Sequence, residues 1–440
     1  MKKLFILLTA VVILVGCKRD GLPTADDIAM GDALVSLTGL GGSVEGFDVQ
    51  LRNISTNSLF VSPSDAQGVA SFHVTPGLYE ASVSCTRSEG RLSLIFNGVS
   101  GQFTVSHGTA TAVTVPMQRV TVNPLVIKEL YCGGCMMDDG VFSFQYDKCV
   151  ILYNNSPAAL SLDNLCFGMV APANAQANNN NYTSEGRLSY EGEGFLPLWN
   201  GIWYFPQTLT IDPYRQVVVN IHGAINNTLT VSQSVNYAHE DYYCMYDPES
   251  GYSNVRYCPT PADVIPAEHY LKAATYALGN AWPFSNSSPA LVLFQTQGVT
   301  PADFAADVTN YWYDGGGTQI AKRCIKVPDE WIVDAVEVFS NDYATQCVKR
   351  LTADVDAGFV GMTNKKGHTL YRNVNREAVE ALPENEGKLV YGYALGTDGS
   401  TDPSGIDAEA SLANGAHIVY QDTNNSTNDF HERQLCSLRK

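Results

Sequence analysis

The sequence predicts a mainly β protein built as two sandwiches, the second carrying long loop insertions and a short helix. Three observations predict it. Apolar and polar residues alternate in short successive runs, the signature of half-buried strands. Turn formers separate the runs, with 37 Gly and 20 Pro among 440 residues. Charged residues make up only 16% of the chain, and Gly, Asn, Ser, Thr and Tyr take their place, a profile suited to an extracellular β-rich protein with long loops. The net charge of −18 would repel phosphate backbones, so no nucleic-acid partner is expected.

The chain opens "MKKLFILLTAVVILVGC". Lys2 and Lys3 precede an apolar run from Leu4 to Val15. That run falls short of the roughly 20 residues of a membrane-spanning helix and fits a signal-peptide core. It closes in Leu14-Val15-Gly16-Cys17, which resembles a bacterial lipobox. The resemblance implies a lipoprotein signal peptide over 1–17 and lipid on the Cys17 thiol, so the membrane is an expected partner through that lipid. Residues 18–32 form a linker, and "KRDGLPTADDI" within it resembles the surface-export tag of Bacteroides-type lipoproteins. An outer-membrane lipoprotein exposed at the cell surface is expected.

Residues 33–120 read as a first sandwich. "ALVSLTG", "FDVQLRN" and "ASFHVTPGLYEASVSC" alternate cleanly. Gly68 suits a tight turn before a strand, and Pro76-Gly77 suits a turn that launches the next, with Tyr79 plugging the core. Asp65-Ala66-Gln67-Gly68, Ala70, Phe72 and Pro76-Gly77-Leu78-Tyr79 resemble the carboxypeptidase-regulatory-like or prealbumin-like module, whose members act as spacers or scaffolds.

A second unit spans 125–436. Tyr153-Asn154-Asn155-Ser156 ends one strand, where Asn and Ser can bond the backbone, and Leu160, Leu162 and Leu165 supply the next. These fragments, with Gly201–Asn227, Gly367–Asn373 and Tyr420–Phe430, resemble the lamin-tail domain, an immunoglobulin-like sandwich, and a group of lamin-tail-like Bacteroides-type lipoproteins of unknown function. Two departures stand out. Cys149-Val150-Ile151 occupies a place where an acidic residue is common, and Asn164-Leu165 replaces Gly-Trp. Between the fragments, residues 171–205 read as a long exposed loop. The stretch 260–280 reads as a helix opened by Pro266, with Ala267, Tyr270, Leu271, Ala274 and Leu278 near one face.

Ten cysteines remain if Cys17 carries lipid. An even number in an exported chain favours disulfides. Cys244 and Cys258 flank a turn-rich stretch and form the best local pair. Cys132 and Cys135, in "CGGC", also read as structural. A redox CxxC needs a helix behind it to lower a thiol pKa, and β pattern lies on both sides here. A zinc clip needs a second Cys/His pair at metal spacing. No metal or cofactor is expected.

The sequence contains no G-x-S-x-G, no H-E-x-x-H and no P-loop, so no catalytic residue is assigned. "HED" at His239–Asp241 and "DVDAG" at Asp354–Gly358 read as solvated loops. Aromatic residues carry the one ligand signal. Trp199, Trp203, Tyr204, Tyr242 and Tyr243 are the candidate ligand or partner surface, since Trp and Tyr dominate such contacts. The expected role is binding: a lipid-anchored accessory protein beside an outer-membrane nutrient receptor, with a glycan or protein ligand. The alternatives are a hydrolase using loop carboxylates and a structural or adhesive surface protein.

Overall fold

The computed structural model describes residues 30–89, 92–122, 124–251, 258–275 and 283–439. Residues 1–17 with Cys17, and most of the 18–32 linker, lie outside the described residues. The fold is mainly β. The chain divides into two compact units, one of residues up to 85 with 97–118, the other of 86–96 with 119 onward.

In the first unit eight strands form one sheet system. Gly31–Thr38 pairs antiparallel with Val69–Val74 and parallel with Ala110–Val122. Its exposure alternates strictly, and Ala33, Val35 and Leu37 point inward. The Asp65 side chain accepts from the backbone N–H of Gln67 and of Val69, both at 2.9 Å. This closes a turn that Gly68 completes at φ +75°. Tyr79 is fully buried, and its hydroxyl donates to the Thr75 carbonyl at 2.7 Å. A buried phenol needs such a partner, because an unsatisfied hydroxyl costs about 1–3 kcal/mol.

The second unit carries a fourteen-stranded sheet. Its path runs Val360–Met362, Ile332–Ser340, Ala290–Gln295, Leu165–Val170, Phe195–Tyr204, Tyr270–Thr275, Tyr243–Met245, Gln216–His222, Lys148–Asn154, Leu125–Tyr131, Thr369–Arg372 and Phe430–Arg433. The path folds over on itself. Asp334, on the second strand of that order, accepts from the backbone N–H of Ile127, on the tenth, at 2.6 Å. Thr363, just past the first strand, donates to Glu432 on the last at 2.6 Å. Between the layers lies one apolar core that includes Ile127, Val150, Leu152, Phe167, Trp203, Val219, Leu293 and Val338. Lys148–Asn154 and Leu125–Tyr131 are buried along their whole length. Strands covered on both faces read as continuous apolar runs rather than alternating ones.

Two expectations about this unit change. Residues 260–280 are not a helix: Ala267–His269 make one 3-10 turn and Tyr270–Thr275 are a strand, while 276–280 lie outside the described residues. The strand pairs with Phe195–Tyr204 on one side and Tyr243–Met245 on the other. Leu271 is buried in the core, so sheet pairing overrides the local helical spacing. Residues 171–205 are a loop only in part: 171–194 form no helix or strand element, with 183–187 and 191–194 exposed. Phe195–Tyr204 is a strand, and in the preceding segment Tyr190 is buried, its hydroxyl donating to the Arg350 carbonyl at 2.7 Å.

Candidate functional site

The strand Leu209–Ile211 ends in Asp212-Pro213-Tyr214-Arg215, and the next strand begins at Gln216. Arg215 N–H donates back to the Asp212 carbonyl at 3.2 Å. Pro213 takes the second turn position, and Tyr214 takes the third with φ +54°. That is the pattern of a type II turn, whose third position normally belongs to Gly or Asn. A tyrosine there stores strain on the order of 1–3 kcal/mol, and such strain concentrates at ligand clamps and active sites.

The Tyr214 ring is buried and stacks on the His417 ring, with centroids 4.4 Å apart and planes 17° from parallel. His417 follows the helix Ala408–Ala413. Its backbone is clamped by buried Asn385: the side-chain oxygen accepts from His417 N–H, and the amide donates to His417 O, each at 2.7 Å. On its outer side the imidazole Nδ1 lies 3.3 Å from the Glu384 carboxylate.

Glu409 sits in the first turn of the same helix, which Asp407 caps through Ala410 N–H at 3.0 Å. Lys128, fully buried on Leu125–Tyr131, reaches Glu409 Oε1 at 2.6 Å and Gln216 Oε1 at 2.6 Å. Tyr371 donates its hydroxyl to the same Glu409 oxygen at 2.7 Å and meets the Tyr420 hydroxyl at 2.9 Å. Burial works against the Glu409 charge, but the Lys128 ammonium and the Tyr371 hydroxyl outweigh it and hold the carboxyl below its ordinary value. Both of those bonds fall on Oε1, and among the described residues Oε2 has no hydrogen-bond partner. The Glu409 side chain keeps 32% of its surface exposed. These groups line a cavity of about 360 Å³, with the Tyr214–His417 stack, Glu409 and Tyr153 on its more buried side and exposed Pro213, Arg215, Gln216 and Gly415 at its edge.

A second cavity of about 370 Å³ is lined by Asn373, Ser400, Thr401, Gln421, Asn428 and His431. His431 Nδ1 faces Asn373 Oδ1 at 2.7 Å and Nε2 faces the Tyr393 hydroxyl at 2.6 Å. Asn373 gives its amide to Asn428 O, so its oxygen accepts from Nδ1–H, and Nε2 accepts from Tyr393. Burial pushes the imidazole down to about 3, helped by the Arg433 charge. Both ring nitrogens are thus occupied within the protein. The first cavity, with an open carboxylate oxygen, is the better candidate.

The five residues predicted as a ligand or partner surface fall in three separate packing clusters, and only Trp203 among them is buried outright. Phe195–Tyr204 has a packed core on each face, so alternate residues bury in opposite directions. Trp203 is fully buried in the central core, with Trp199 and Tyr243 packed at its edge. Tyr204 packs on a second cluster and Tyr242 on a third. The predicted Cys132–Cys135 and Cys244–Cys258 disulfides do not form, since Cys132, Cys135 and Cys244 carry free thiols. Cys132 lies in the core 3.8 Å from the Met362 sulfur, whereas Cys135 turns toward Asp147. Cys244 packs with Ala224 and Ile265, whereas Cys258 lies 3.5 Å from His222 Nδ1. Burial pushes the Cys132 and Cys135 thiols up to about 12, opposite to a reactive CxxC. Asp356 in "DVDAG" is buried and accepts from Glu337 N–H and Ser426 N–H, so it braces the fold rather than facing solvent.

Sequence reasoning missed Tyr214, Glu409 and His417. A Pro followed by a non-glycine in a two-strand turn was the one local signal. The Glu409–Lys128 pairing spans most of the unit and leaves no local trace.

Residues 212–392 match the DUF4876 family, described as a protein of unknown function. The match begins at the Tyr214 turn. The crystal structure of a DUF4876 family protein from Bacteroides thetaiotaomicron is similar with a TM-score of 0.64 and 21% identity, covering 91% of this chain and 94% of that one. At that identity the likeness establishes the fold. A DUF3823 family protein from Parabacteroides merdae aligns over 33% of this chain and 69% of its own, with 15% identity and a TM-score of 0.14. No curated protein matches the sequence.

Proposed function

We propose that this chain is a lipid-anchored, surface-exposed outer-membrane binding protein that holds a small extracytoplasmic ligand between Tyr214, His417 and Glu409, beside an outer-membrane receptor. In this reading a prealbumin-like spacer carries a lamin-tail-like binding domain. The signal-peptide pattern ending in Cys17 supports the anchor, and the low charge content supports an extracytoplasmic setting. No helix in the described residues is long and apolar enough to cross a membrane, which leaves the anchoring to the N-terminal lipid in this reading. The observation that carries the binding role is the left-handed Tyr214 stacked on His417, in one cavity with a Glu409 carboxylate oxygen that no described residue hydrogen-bonds. Backbone strain and a partly desolvated, half-satisfied charge both cost stability, and a ligand that completes the site would repay them.

The test is a thermal-shift screen of the purified mature chain against a panel of small polar metabolites, repeated on His417→Ala. His417 is 43% exposed, so its truncation should leave the fold intact. A ligand that raises Tm in the wild type and not in the variant is expected. A panel that shifts neither protein sinks the binding reading. The anchor has its own test: a palmitate label should enter the wild type in cells and be absent from Cys17→Ala.

A further inference from the structure

We propose that the Tyr214–His417 cavity takes a small hydroxylated carboxylic acid, of the sugar-acid class. This rests on the binding role proposed above and names the ligand chemistry of that site.

The charges around the cavity come first. The Glu409 charge is already balanced by the Lys128 ammonium at 2.6 Å. His417 faces outward to Glu384. Arg215, on the strained turn, is exposed and makes no ion pair among the described residues. The lining therefore presents one uncompensated positive charge, on a chain whose net charge is −18. A guanidinium is a planar fork that fits a carboxylate at two points. An anionic head group on Arg215 is what this rim would select.

Glu409 and Gln216 then specify the rest of the molecule. Glu409 Oε2 is a charged acceptor that needs a donor. An ammonium would compete with Lys128 for a charge already neutralised, and would sit close to a second cation. A neutral hydroxyl meets neither cost. Gln216 gives its oxygen to Lys128 at 2.6 Å, so its amide NH₂ points the other way and can donate to a ligand oxygen. Glu409 and Gln216 thus line the cavity with an acceptor and a donor, the demand that a hydroxyl satisfies in both senses. The stacked rings supply a flat apolar wall for a C–H face. The cavity is about 360 Å³, many times the roughly 30 Å³ that one water takes in the liquid, so a compact acid fits.

Calorimetric titration of the mature chain with four probes tests this: glucuronate, gluconate, glucose and glucosamine. Glucuronate or gluconate should bind at least roughly tenfold more tightly than glucose, the size of one charge-assisted contact, and glucosamine should give no heat. Arg215→Gln, an exposed substitution, should leave Tm unchanged and bring the acids down to the glucose level. Glu409→Gln should weaken acid and glucose alike. Equal binding of acid and glucose, or a preference for glucosamine, overturns the acid assignment while leaving the cavity a ligand site. If the metabolite panel also shifts nothing, the site itself falls with it.

Discussion

Arg350 and Glu337 form a wholly buried ion pair that ties a loop to the strand Ile332–Ser340. Arg350 Nη2 and Nε donate to Glu337 Oε1 at 2.6 and 2.9 Å. Oε2 accepts from the backbone N–H of Arg350 and Leu351, each at 2.8 Å. The remaining guanidinium nitrogen reaches the Pro172 carbonyl at 2.9 Å. Arg350→Met leaves a buried carboxylate without its countercharge, and removing one partner of such a pair costs about 3–5 kcal/mol. Urea unfolding should show a lower midpoint at unchanged slope. Glu337→Met with Arg350→Met should lose less than the two single changes added together, because no charge is left stranded.

His431 sets a pH dependence whose sign can be worked out. Its imidazole is pushed down to about 3 in the folded chain, by burial first and by the Arg433 charge second, against an ordinary value near 6.5. Between those values the unfolded chain binds a proton that the folded chain refuses. This contribution to stability is therefore whole above about 6.5 and is lost as pH falls toward 3, by up to about 1.4 kcal/mol per pH unit. In histidine proton spectra one ring, assigned by its loss in His431→Gln, should stay at its neutral shift from pH 8 to pH 4. A normal titration of that signal would refute the buried, neutral assignment.

The thiols divide by exposure. Cys85 and Cys347 are partly exposed, and the other eight described cysteines are buried. Burial raises Cys132 and Cys135 to about 12 and pushes Cys166, Cys244 and Cys324 up as well. Since the thiolate is the reactive species, N-ethylmaleimide on the folded chain should modify Cys85 and Cys347, with the buried eight reacting only after denaturation. Peptide mapping by mass spectrometry reads this directly. Early labelling of Cys132 would show that the core beside Met362 opens.

What the sequence revealed about the fold follows from what each strand touches. Gly31–Thr38 buries one face, so its alternation was legible, and Tyr79 could be placed in a core from its turn and its strand. Tyr270–Thr275 is flanked by strands on both edges, and its Ala-rich composition suggested a helix that pairing overrides. Trp203 looked like a surface because aromatic residues crowd its neighbourhood. Both faces of its strand are covered, and burial on two sides is not a property of any one segment. The site was illegible for a similar reason. Tyr214, Glu409 and Lys128 belong to three separate elements, and the ion pair joining the last two depends on sheet order. The cysteine count suggested pairing, but parity says nothing about which way side chains point.

Asn385 is the residue that places His417 against Tyr214. Its side chain makes three bonds: donation to Val379 O at 2.9 Å, donation to His417 O at 2.7 Å, and acceptance from His417 N–H at 2.7 Å. The two bonds to His417 hold a chain segment that leaves the helix at Gly415, φ +78°, and has no strand ladder of its own at this point, while the bond to Val379 fixes Asn385 itself. Asn385→Ala strands buried backbone groups, each costing about 1–3 kcal/mol, and frees the ring from its stack. Asn385→Asp keeps the accepting oxygen and loses both donations, so it should recover only part of the stability. The discriminating readout is ligand binding at a temperature where each variant is fully folded. Asn385→Ala should then lower affinity about as much as His417→Ala does, because both remove the same wall. Unchanged affinity in a folded Asn385→Ala would mean that the stack is held by the Tyr214 turn alone.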